Sequence, residues 1–136
     1  MTQLHNKLFN SLRQLLPAHA VLTEAEELRP FECDGLSVYR RLPLVVVLPE
    51  TIEQVQAIVR LCHDLNIPLV ARGAGTGLSG GALPLEDGVL LSLSKFKNIL
   101  HVDPANAMAT VQPGVRNLAI SEAVAIHNLY YAPDPS

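Results

Sequence analysis

Five glycines fall within the nine residues from Gly73 to Gly81, and this density constrains the chain more than any other feature. Glycine gives up more backbone entropy on folding than other residues, so such a run persists where the backbone must bend sharply or lie against a ligand. Consecutive main-chain amides can converge there on an anion, and Thr76 and Ser79 add hydroxyl donors. This glycine loop (residues 73–81) therefore predicts a diphosphate-binding site, and a plain flexible connection is the less favoured alternative.

The residues before the glycine loop predict a βαβ unit. A β-branched apolar run at 44–48, bounded by prolines, predicts a buried strand, and an apolar run at 67–71 predicts a second one. Thr51 and Gln54 have the spacing of a capping box, which predicts that a helix starts between the two strands. The core-facing stripe of that helix comprises Val55, Ile58, Val59 and Cys62. We expect the two strands to form a parallel pair, with the glycine loop leaving the carboxyl end of the second, where open α/β sheets bind ligands.

The remaining segments predict further helices and short strands. Leucines spaced three and four residues apart predict an N-terminal helix that ends at Pro17. After the glycine loop, short runs at 89–93, 99–102 and 107–111 are close enough in sequence to favour antiparallel pairing. A helix at 115–127 and a last strand at 129–131 complete the prediction. The chain is thus expected to be α+β, with a helical lead-in (1–35), a βαβ subdomain and the start of a mixed or antiparallel strand-rich subdomain within 36–136.

Two other nucleotide-binding motifs fit the glycine loop poorly. Gly75, Gly77 and Gly80 match the G-x-G-x-x-G pattern, but a Rossmann site needs a helix at the third glycine and an acidic residue about 20 positions further on. Pro84 interrupts any such helix, and Lys95 stands where the acid would be. A P-loop needs a lysine after its last glycine, which is missing here. A flavin dinucleotide is the favoured ligand, and a nicotinamide- or nucleotide-binding α/β protein remains an alternative.

Composition excludes several other classes of protein. The net charge of −3, with no basic stripe, argues against binding of nucleic acid. The longest apolar run, 42–49, is far shorter than the ~20 residues that cross a bilayer, so no membrane span is expected. Residues 1–10 lack the apolar core of a secretory signal, and a cytoplasmic location is expected.

Titratable residues show no arrangement typical of a metal or catalytic site. The five histidines and two cysteines lack metal-ligand spacing, so no metal site is predicted, and Cys33 and Cys62 are expected to be buried free thiols. Glu86 and Asp87 precede a glycine in turn-forming sequence, which favours a solvated tip over a general acid and base.

Four segments together carry a specific resemblance. Residues 40–49 (RRLPLVVVLP), 72–85 (RGAGTGLSGGALPL), 111–118 (VQPGVRNL) and 131–136 (YAPDPS) resemble FAD-linked oxidases with the PCMH, or vanillyl-alcohol-oxidase-type, fold. Within that family the likeness is closest to the glycolate oxidase branch. It covers most of the chain from residue 36 onward.

The resemblance implies FAD as the cofactor. The main chain of the glycine loop would hold the FAD diphosphate, Arg72 would anchor the loop, and two later segments would approach the cofactor. Because no histidine lies in the loop, noncovalent FAD is implied. The implied cofactor-binding residues are Arg72, Gly73, Ala74, Gly75, Thr76, Gly77, Ser79, Gly80, Gly81, Pro113, Gly114, Pro133, Asp134, Pro135 and Ser136.

The resemblance also implies a reaction. A 2-hydroxy acid such as glycolate or D-lactate would be oxidised to the 2-oxo acid by hydride transfer from its α-carbon to flavin N5. Electrons would pass to other glycolate oxidase subunits or to an acceptor such as a quinone, with partner subunits tethering the protein to the inner face of the membrane.

The resemblance implies that family members continue well beyond this length, with the rest of the FAD domain and a substrate-covering cap domain, and that substrate-binding groups lie in those later segments. We therefore expect no catalytic residue among these 136 and, for these residues alone, weak FAD binding without turnover. A noncatalytic module that docks on a partner subunit is the remaining alternative.

Overall fold

The computed structural model describes residues 2–133, and the chain divides after Leu93 into two compact units. In the first unit, helix α1 (Gln3–Leu15) is followed by strand β1 (Val21–Leu22) and the short helix α2 (Ala25–Leu28). Strand β2 (Val45–Val47), helix α3 (Ile52–Asp64), strand β3 (Leu69–Arg72) and strand β4 (Val89–Ser92) complete it. The second unit contains strand β5 (Ile99–Asp103), strand β6 (Met108–Val111) and helix α4 (Asn117–Val124). The content of helices and strands confirms the α+β class.

The sheet of the first unit has the strand order β1-β2-β4-β3. The βαβ unit is present, but the prediction that its two strands pair with each other is wrong, because β4 lies between β2 and β3 and is parallel to both. The antiparallel pairing expected for β4 is wrong for the same reason. A parallel connection needs about a dozen residues or more, and the sixteen between Arg72 and Val89 provide that length.

Burial explains why β4 takes the central position. All its residues and all those of β2 are buried, as expected for strands covered on both faces. Strand β3, which is only partly buried, lies at the edge. Strand β1 pairs antiparallel with β2, so part of the segment 1–35 belongs to this sheet. The domain boundary at 35/36 stays a prediction.

Alternate residues of β2 and β4 pack into two separate hydrophobic clusters. The larger cluster joins these strands to α1 and α3, through residues such as Leu12 and Ile58, which are fully buried. The smaller one is formed by Leu28, Val46 and Leu90.

The predicted start of α3 is confirmed. The Thr51 hydroxyl accepts a hydrogen bond from the Gln54 amide at 3.3 Å, and Gln54 Oε1 accepts one from the Thr51 amide at 3.3 Å. The end of α1 before Pro17 is confirmed as well. Val59, expected on the buried stripe of α3, is 46% exposed, because the buried face of the helix centres on Ile58 and Cys62.

In the second unit, β5 and β6 form the predicted antiparallel pair. Helix α4 continues into a 3₁₀ turn that ends at His127, where the prediction placed its end, and Asn128 follows with φ 55°. The strand predicted at 129–131 does not form. The Tyr131 amide instead donates to Ser121 Oγ at 3.0 Å, which ties this segment to α4.

Candidate cofactor-binding site

The glycine loop begins directly after β3, at the carboxyl end of parallel strands. It continues through turns to β4, and no helix forms between residues 73 and 88. A Rossmann site and a P-loop both require a helix there, so the prediction that neither motif is present is confirmed. Any anion bound at the loop would be held by loop amides and hydroxyls without a helix dipole behind them.

The amides of the glycine loop are available to a ligand. Within residues 2–133, none of those from Gly73 to Gly81 donates a hydrogen bond to another residue. The hydroxyls of Thr76 and Ser79 likewise have no partner in that described range, and both residues are exposed. Successive unpaired amides in a turn conformation are the donor set that binds phosphate groups.

Two glycines of the loop adopt the left-handed conformation. Gly75 has φ 76° and Gly80 has φ 72°, a region that costs other residues about 1–2 kcal/mol. A Cβ atom added at Gly77, Gly80 or Gly81 would meet nothing within 4 Å. No neighbouring group of the first unit therefore excludes side chains at these three positions, which fits a surface that must stay bare for a ligand. On this test, the residues present fit a dinucleotide diphosphate.

The buried guanidinium of Arg72 ties the two ends of the loop together. Arg72 is the last residue of β3, and its Nε and Nη2 donate to the Ala82 carbonyl at 3.2 and 2.6 Å. Its aliphatic part lies 3.3 Å from the Cβ position of Gly75. Burial lowers the pKa of Arg72, and the nearby Asp34 and Cys33 act in the opposite direction. The arginine thus supports the loop from its buried side.

Sequence reasoning missed a second contact to the loop, which is made by Gly35, the residue after the buried Asp34. A Cβ atom on Gly35 would lie 2.5 Å from the Thr76 carbonyl oxygen and 2.9 Å from that of Gly77. Asp34 is only 6% exposed, and its Oδ1 accepts a hydrogen bond from the Leu36 amide at 2.9 Å. The only sequence signal was the Asp-Gly pair, which is typical of any surface turn.

The other predicted cofactor residues lie elsewhere in the chain. Pro113 and Gly114 belong to the second unit, and the Gly114 amide donates to the Phe96 carbonyl at 2.7 Å, so it is not free for a ligand. Pro133, also in that unit, is exposed. Asp134, Pro135 and Ser136 lie outside the described residues.

No metal or acid–base constellation accompanies the loop. Among the described residues, no group of three or more His, Cys, Asp or Glu side chains is placed to hold a metal ion. Glu86 and Asp87 are exposed, as expected of a turn tip. Cys33 and Cys62 are both free, but only Cys62 is buried as predicted, whereas Cys33 is partly exposed. Burial raises the pKa of the Cys62 thiol to about 11. None of the helices between residues 2 and 133 is long and apolar enough to cross a bilayer.

Comparison with known proteins identifies the family to which the chain belongs. Residues 43–136 match the model of a family described as "FAD binding domain". The chain is 64% identical over 126 residues to glycolate oxidase subunit GlcD of Escherichia coli, covering 93% of this chain and 25% of that protein. It is 36% identical over 100 residues to a probable mitochondrial D-lactate dehydrogenase of Danio rerio, covering 73% of this chain and 20% of that one.

The fold is found in solved structures as well. A crystal structure of p-cresol methylhydroxylase with bound substrate superposes with a TM-score of 0.82 at 32% sequence identity, over 95% of this chain and 26% of that one. The expected PCMH-type fold is therefore confirmed. The chain spans about a quarter of the length of the curated relatives it matches.

Proposed function

The chain belongs to the FAD-binding domain family, and from this premise we propose that it supplies the diphosphate-binding part of the FAD site in a 2-hydroxy-acid oxidoreductase. The observation that carries the proposal is the set of main-chain amides in the glycine loop that bond to no other described residue. Those amides, with the Thr76 and Ser79 hydroxyls, would bind the diphosphate. Arg72 would keep the loop in place through the Ala82 carbonyl.

We propose noncovalent binding, since the glycine loop contains no histidine that could form a bond to the flavin. Pro113, Gly114 and residues 133–136 are proposed to approach the cofactor. When bound, FAD supplies the two-electron acceptor for oxidation of a 2-hydroxy acid to the 2-oxo acid. The role of the described residues is to bind and orient it.

The substrate proposal rests on the relatives. Both the glycolate oxidase subunit and the D-lactate dehydrogenases are named for small 2-hydroxy acids. We therefore propose glycolate or D-lactate as substrate of the full-length protein. No catalytic residue is proposed among residues 1–136.

Partner subunits are proposed on the same basis. The relative with 64% identity is named as a subunit of glycolate oxidase. We propose that the full-length protein assembles with other glycolate oxidase subunits and passes electrons to an acceptor such as a quinone. A cytoplasmic location, with attachment to the membrane through those subunits, completes the proposal.

A spectroscopic experiment tests the function. The full-length protein that contains these residues is purified, its absorption spectrum is recorded, and glycolate or D-lactate is added without oxygen. We expect an oxidised-flavin spectrum that is bleached by the 2-hydroxy acid. Protein that lacks flavin, gains no heat stability from FAD and is stabilised by NADH would instead support a nicotinamide site.

Calorimetry on residues 1–136 alone tests the extent of the site. We expect weak FAD binding and no turnover, because the chain spans about a quarter of its relatives. Tight stoichiometric binding with glycolate oxidation would show that these residues suffice.

A further inference from the structure

The glycine loop contacts a segment far from it in sequence, and that contact is made by backbone. The α-carbon of Gly35 lies against the main chain of Thr76 and Gly77, since an added Cβ would come within 2.5 Å of a carbonyl oxygen. A Cβ at that distance from backbone forces a displacement, because no side chain can rotate away. The position of residue 35 therefore sets the position of the loop at its centre.

The carboxylate of Asp34 fixes the turn that presents Gly35. Its Oδ1 accepts a hydrogen bond from the Leu36 amide, two residues on, which is the geometry of an Asx turn. Its Oδ2 is buried and has no hydrogen-bond partner among residues 2–133. An ionised oxygen in that state is costly unless a positive charge compensates it.

The cation whose pKa Asp34 affects is Arg72, itself only 5% exposed. Asp34 favours the charged state of this guanidinium, which burial disfavours. The guanidinium is bonded to Ala82, immediately after the loop. Asp34 is thus linked to the loop twice, through the turn that carries Gly35 and through the charge of Arg72.

We propose that Asp34 and Gly35 are positioning residues for the diphosphate site: they hold the centre of the glycine loop so that its amides point outward, without touching the cofactor. The inference rests on the proposed function, because it assumes that FAD binds at the loop. It adds a second support beside Arg72, from a segment that lies before the residues matched by the family model.

Affinity and stability measured on matched variants test this. In the full-length protein, FAD dissociation constants come from quenching of flavin fluorescence, and the ³¹P resonances of bound FAD report the surroundings of the diphosphate. Displacing the loop enough to lose one amide–phosphate hydrogen bond weakens binding about tenfold. We expect Gly35→Ala to raise the dissociation constant by about that factor and to shift the ³¹P resonances.

Variants of Asp34 distinguish the effect of its hydrogen bond to the Leu36 amide from the effect of its charge. Asp34→Ala removes both, and we expect about tenfold weaker binding, whereas Asp34→Asn keeps the oxygen that accepts from Leu36 and recovers part of the loss. If Gly35→Ala yields no folded protein, the Asp34 pair decides the test.

Gly88→Ala is the matched control. An added Cβ there would also be crowded, 3.0 Å from the Pro68 carbonyl oxygen and 3.1 Å from Leu85 Cβ, but away from the glycine loop. We expect it to lower the thermal midpoint while FAD affinity stays within about twofold of wild type. Wild-type protein that binds FAD, with Gly35→Ala and Asp34→Ala binding equally well, overturns the inference alone. Wild-type protein that binds no FAD overturns the proposed function.

Discussion

The centre of the sheet and the glycine loop belong to the same unit but are built in opposite ways. Every residue of β2 and β4 is buried, and their main chains are paired along the ladder. In the loop the amides have no partner among the described residues, and Leu78 is 71% exposed. Stability and the proposed binding site therefore fall on separate segments: the strands stabilise the unit, and the unpaired donors of the loop are those proposed to bind the diphosphate.

Leu90→Ala should give the largest effect on stability. Leu90 is fully buried beside Leu28 and Val46, and removing such a side chain costs about 3 kcal/mol through lost transfer energy and the cavity left behind. Urea unfolding of the full-length apoprotein measures the change. Leu78→Ala, the same substitution at an exposed position, should change the free energy of unfolding by less than about 0.5 kcal/mol. An equal loss of unfolding free energy in Leu90→Ala and Leu78→Ala would contradict the conclusion that the strands, and not the loop, stabilise the unit.

Gly80→Ala should weaken FAD binding without lowering stability, the opposite of the effect expected for Leu90→Ala. Its φ of 72° makes alanine unfavourable by about 1–2 kcal/mol, but a loop whose amides bond to nothing in the described chain can relax to relieve that strain. The apoprotein should therefore keep its thermal midpoint, while FAD binding at the proposed site should weaken about tenfold if it uses the left-handed turn. Fluorescence titration and thermal unfolding measure the two quantities. A lowered thermal midpoint with unchanged affinity for FAD would show that Gly80 contributes to stability and not to FAD binding.

The pH dependence of the free energy of unfolding tests whether Cys62 is buried in the core. Its thiol belongs to the larger cluster, and burial raises its pKa from 9.0 to about 11. Above pH 9 the unfolded chain loses this proton while the folded one keeps it, so the free energy of unfolding falls as pH rises. At pH 10 the loss is about 1.4 kcal/mol relative to neutral pH. Between neutral pH and pH 10, we expect the free energy of unfolding to decline less in Cys62→Ala than in the wild type. An equal decline in the two proteins would refute the raised pKa of Cys62.

Local patterns in the sequence predicted much of the fold because they depend on neighbouring residues. The capping box at Thr51, the end of α1 before Pro17 and the β5–β6 hairpin follow from adjacent hydrogen bonds and apolar periodicity. The absence of a Rossmann helix followed from Pro84 and its surroundings in the same way. The strand expected at 129–131 failed because apolar character alone does not supply a pairing partner, and a hydrogen bond to Ser121 was formed instead.

The amino-acid sequence by itself determined that a glycine-rich, amide-bearing loop follows a short apolar strand, and it carried enough of the family pattern to imply FAD. Only the tertiary structure decided that β4 inserts between β2 and β3, since strand order depends on which faces are covered by other elements. It alone also brought Gly35 against the main chain of Thr76. Contacts between segments some forty residues apart leave no local pattern, because their energy comes from burial and close approach in three dimensions.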